Sequence, residues 1–157
     1  MPNRQFEDWD LLTDAVQSRC ATILDKKVAP IAKNIVRKHI QTDIYDVYTP
    51  KENGWVLSDG SPTTYKRRYL LLKNGAIYHT FSKSDEIMIT SNVTASPAVV
   101  KGWSFRNRYP GAFLKLLETG NMGVWHGGFP RPAIGNAQKE IDKSLQIRSV
   151  ISQELNG

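Results

Sequence analysis

The feature that most constrains this chain is an apolar stripe near its start with a proline inside it. Trp9, Leu12, Val16, Cys20, Ile23, Leu24, Val28, Ile31, Ile35 and Ile40 fall mostly three or four residues apart. On an α-helix that spacing places them along one face, and a face of that kind folds by burying itself. Asp8 or Asp10 is placed to cap the start, where acids also suit the positive end of the helix dipole. Pro30 interrupts the pattern. It has no N–H to donate and its ring clashes one turn back, so a kink near Ala29, or two helices in series, is expected. The stretch 31–39 is basic on its outer side through Lys33, Arg37 and Lys38. Cys20 lies on the apolar face and reads as a small buried hydrophobe rather than a nucleophile.

The periodicity then changes. Residues 43–48 alternate apolar and polar side chains and end at Thr49-Pro50. Glu52-Asn53-Gly54 and Ser58-Asp59-Gly60-Ser61-Pro62 mark 51–64 as a loop insertion. Three short strands are expected at 69–72, 76–81 and 86–91, with Asn74-Gly75 as the hairpin turn between the first two. A turn at 82–85 completes an antiparallel meander. Residues 92–110 are irregular, and 111–118 form a short helix that Gly120 stops by permitting a left-handed cap. After a loop at 121–132, a terminal amphipathic helix starts at Ala133 and carries Ile134, Ala137, Ile141, Leu145, Ile151 and Leu155 near one face. The expected fold is one α+β domain over 1–157. Its parts are a long N-terminal helix kinked near Pro30, a small antiparallel sheet, a short helix and a C-terminal amphipathic helix.

Chemistry is sparse. The single cysteine excludes an intrachain disulfide and a cysteine-based zinc site. His39, His79 and His126 fall in a helix, a strand and a glycine loop, without the spacing of helical metal motifs. There is no P-loop, no dinucleotide glycine fingerprint and no Gly-x-Ser-x-Gly. Asp43, Asp46 and His79 are the set that folding would have to gather for nuclease-like chemistry. No enzyme activity, metal or cofactor is expected. No apolar run approaches the roughly 18 residues of a membrane helix. The first ten residues lack the apolar core of a secretory signal, so the chain is expected to be made and kept in a cytoplasm.

The net charge of +6 and pI near 9.5 permit contact with nucleic acid without specifying it. Tyr65-Lys66-Arg67-Arg68-Tyr69 flanks bases with aromatics, as single-strand binders do. The preferred reading is an edge strand whose arginines pair with acids of a neighbouring element or subunit. Consecutive residues on a strand point to opposite faces, so Arg67 and Arg68 would serve different surfaces.

The order of these stretches carries a resemblance. Ile-Gln-Thr-Asp-Ile-Tyr-Asp-Val-Tyr-Thr-Pro-Lys (40–51) closes the first helix and Tyr-x-Arg-Arg (65–68) follows. Later come Phe-Leu-Lys-Leu-Leu-Glu-Thr-Gly (113–120) and Phe-Pro-Arg-Pro-Ala-Ile (129–134) before the last helix. Over about 30–157 this resembles the bacteriophage tail-completion, tail-to-head joining or neck proteins. The chain departs from that pattern in its insertion at 51–64, and in having Tyr69-Leu70-Leu71-Leu72 where Gly-Gly-Leu commonly follows the arginines. The resemblance implies a non-catalytic virion protein of the neck. It would form a homo-oligomeric, sixfold ring that completes the tail and contacts the head connector or head-closure protein and the tail tube or tail terminator. Genomic DNA would pass through the lumen without sequence recognition. The motif positions it marks as interface candidates are Tyr45, Tyr48, Pro50, Tyr65, Arg67, Arg68, Glu118, Gly120, Pro130, Arg131 and Pro132. Arg131, held between two prolines of fixed φ, is expected to be presented to a partner, and Pro132 suits the start of the last helix. The alternative reading is a basic nucleic-acid-binding accessory protein.

Overall fold

The structure, a computed structural model, describes residues 9–47, 69–83, 85–93, 112–119 and 130–156. The expected α+β architecture is present. Helix α1 (Trp9–Ile23) passes through a π-helical turn (Leu24–Val28) into α2 (Ala29–His39). The proline explains the turn. Ala29 N–H reaches back five residues to Leu24 O, and Pro30 follows within the first turn of α2. A π turn widens the helix by one residue, which takes the proline ring off the preceding carbonyls, so no helix break is needed.

A second π segment (Ile40–Tyr45) prolongs the helix, closed by Asp46 N–H on Gln41 O at 2.9 Å. The alternation over 43–48 is therefore not a strand within the described residues. Ile40 and Ile44 are both buried. Four residues apart, they share a helical face, and burying that pair outweighs the period of two.

Two expectations change. Residues 69–72 form a 3-10 turn (Leu70–Leu72), not a strand, with Leu72 N–H on Tyr69 O at 2.9 Å. Asn74-Gly75 does make a turn, with Gly75 at φ +76°, but it joins that 3-10 turn to β1 rather than strand to strand. Among the described residues the sheet thus has two strands instead of three: β1 (Ile77–Lys83) and β2 (Glu86–Ser91), antiparallel, running from Ile77 opposite Ser91 to Lys83 opposite Glu86. A register irregularity falls between Phe81 and Lys83.

After α3 (Ala112–Thr119), the expected terminal helix is two helices, α4 (Ala133–Lys143) and α5 (Leu145–Asn156). Ser144 is extended, with ψ 109°, and its hydroxyl accepts Ile147 N–H at 3.2 Å, the bond of an N-cap serine. The break rotates the buried face. Ile147 is buried, whereas Leu145 is 77% exposed. Asn136 meets Asp43 and Glu140 meets His39, so α4 runs antiparallel to α2 and its π extension. Glu154 meets Lys27, so α5 continues back along α1.

The core lies along the long helix. One cluster gathers Val36, Ile40 and Ile44 with Leu71, Ile77, Leu114, Leu117, Ala133 and Ala137. Another joins Ile23 and Val28 to Ile147. A fully buried side chain such as Ile40 contributes roughly 1.5–3 kcal/mol by leaving water. The expected stripe is buried only from Ile23 onward: Trp9 is 82% and Val16 51% exposed.

Candidate functional site

Two pairs of polar residues, each four apart on its own helix, face each other across the long helix and α4. His39 and Asp43 come from the end of α2 and the second π segment; Asn136 and Glu140 come from α4. Residues four apart share a helical face, so two antiparallel helices can bring such pairs into register. Here they meet. His39 Nδ1 lies 2.9 Å from Asp43 Oδ2, and Nε2 lies 2.9 Å from Glu140 Oε2. Asn136 Nδ2 donates to Asp43 Oδ2 at 3.0 Å, and the Thr42 hydroxyl lies 2.9 Å from Asp43 Oδ1. Lys38 Nζ donates to both Glu140 oxygens at 3.0 Å.

Partial burial of Asp43 works against its charge, but hydrogen bonds from Asn136, His39 and Thr42, with the His39 charge, outweigh it. Its carboxyl is held below the usual value. Glu140 is likewise lowered, first by its hydrogen bonds from Lys38 and then by that from His39. With both ring nitrogens against carboxylate oxygens, only the doubly protonated ring donates both bonds. In this geometry His39 has no nitrogen left to exchange a proton with a substrate. The cluster ties two helices together.

The nuclease-like set does not assemble. His79 Nε2 pairs with Asp25 Oδ1 at 2.7 Å, fastening β1 to the first π turn. Asp46 takes its hydrogen bond from Gln41, while Asp43 belongs to the cluster above. Among the described residues no group of three or more His, Cys, Asp or Glu side chains is placed to hold a metal. Cys20 is half-buried.

The motif residues have particular places. Glu118, on α3, accepts Ile134 N–H on Oε2 and Gly135 N–H on Oε1, both at 2.9 Å. The first N–H groups of a helix have no partner within it, and a carboxylate there also meets the positive dipole end. Glu118 therefore fastens α3 to the start of α4 and joins the Glu-Thr-Gly and Pro-Arg-Pro-Ala motifs physically. Gly135 makes room for it, since a Cβ there would lie 3.3 Å from Glu118 Oε1.

Arg131 corrects an expectation. It is 8% exposed, and its N–H bonds Leu117 O at 3.0 Å. The flanking prolines are exposed and the arginine turns inward, so it serves the interior of its own subunit rather than being offered to a partner. Tyr45 also works within the subunit. Its hydroxyl accepts Leu71 N–H at 3.2 Å, and its ring lies 4.8 Å from that of Tyr69, centroid to centroid. Tyr69 stands at φ +47°, a left-handed conformation uncommon for a bulky side chain. Tyr48, Pro50, Tyr65, Arg67, Arg68 and Gly120, with the 51–64 insertion and His126, lie outside the described residues.

Sequence reasoning missed Lys38, Asn136 and Glu140 as a group with His39. The i,i+4 spacing of each pair was readable, but the antiparallel helix pairing that joins them was not. It also missed the Glu118 clasp, although a glycine at the third position of a helix is a signal of close approach.

Among the described residues no helix is long and apolar enough to cross a membrane. No curated protein matches the chain, and no solved structure matches it. The sequence model of the YomN family matches residues 8–157, nearly the whole chain, which therefore belongs to that family.

Proposed function

We propose that this YomN-family chain is a non-catalytic structural subunit of a phage neck, a ring that completes the tail and joins it to the head connector. The observation that carries this reading is the half-used stripe of α1. The face that buries Ile23 beside Ile147 runs on to Val16 and Trp9, which are 51% and 82% exposed, so a lone subunit leaves these side chains in water. Partners in an assembly remove that cost. The order of motifs from Ile40 to Ile134 supplies the phage context. The polar cluster around His39 supports a structural role, because its groups are spent on one another. A sixfold ring, with DNA in the lumen held without sequence recognition, is the arrangement that goes with this reading.

The test is mass spectrometry of purified virions together with electron micrographs of particles made without the chain. The expected result is its presence at a few copies per particle and particles whose heads and tails fail to join. Firmly attached, infectious tails without it would overturn the proposal. A purified monomer that shifts DNA in a gel while absent from virions would favour the basic accessory protein instead.

A further inference from the structure

We draw no further inference here: the strongest candidate, the exposed apolar face of α1 that carries Trp9 and Val16, names no particular occupant, because nothing in the structure shows what covers it.

Discussion

Glu118 and Gly135 illustrate what single residues do here. The carboxylate takes two helix-start N–H groups at once. Glu118→Ala is expected to lower stability by about 1–2 kcal/mol, the usual cost of losing an N-terminal cap. Gly135→Ala sets two effects against each other. Alanine favours the helix by about 1 kcal/mol, but its Cβ presses on the Glu118 oxygen. Denaturant midpoints of the two single variants and the double variant separate them. The alanine gain should appear in full only when Glu118 has been removed; equal gains in both backgrounds would mean the contact does not matter. Arg131→Glu should cost about 3 kcal/mol or more, since it replaces a buried cation with an anion. A folded Arg131→Glu protein with a wild-type midpoint would return Arg131 to the surface role its flanking prolines suggested. That role was the natural reading of Pro-Arg-Pro, because the prolines fix the backbone but do not say toward which side the arginine turns. Only packing decides that, and the N–H bond from Arg131 to Leu117 O sets the segment against α3.

Helices and turns were legible where their signals are local and blurred where neighbours decide. The strand at 86–91 is found at Glu86–Ser91, and Asn74-Gly75 makes its turn with Gly75 at positive φ. The element before that turn was misread because Leu70, Leu71 and Leu72 serve a 3-10 turn as well as a strand, and Tyr45 holds Leu71 N–H from another element. Ser144 had the residue type of an N-cap, but the apolar spacing from Ile134 to Leu145 concealed the break. The cluster joining α2 to α4 is an element-scale device with a pH signature. Asp43 and Glu140 both titrate below their ordinary values in the folded chain. Above the ordinary carboxylate range both states are ionised, and the stabilisation is complete. As pH falls below about 4, the unfolded chain takes up protons first, so stability declines until the folded carboxyls protonate as well. Urea midpoints between pH about 5 and about 2 should trace that decline. Asp43→Asn should be less stable at neutral pH and should show a shallower acid slope. An unchanged slope would mean that other carboxylates carry the acid sensitivity.

At the scale of the molecule, the division of the long helix sets the last prediction. From Ile23 onward its apolar face is occupied by α5, α4 and the sheet, whereas among the described residues its first half contributes to neither core cluster. A chain lacking residues 1–17 keeps Ile23, Val28 and Ile147 in contact and retains the His39 cluster and the Glu118 clasp. It also keeps Arg19, whose guanidinium donates to Glu154 O, and the Lys27–Glu154 ion pair at 2.9 Å. Exposed helix stabilises itself weakly, so the truncation should change unfolding free energy by less than about 1 kcal/mol. Helical circular dichroism should fall in proportion to the residues removed. The assembly reading expects a different outcome in particles. The truncated subunit should fold and yet fail to restore head–tail joining in a complementation assay, because the face lost is the one a neighbour covers. Stability and joining therefore part company if α1 is an assembly arm. If the truncation unfolds the protein, the first half of α1 belongs to the subunit's own core. If it joins heads to tails as well as wild type, the exposed stripe has no part in assembly, and the neck reading loses the observation that carries it.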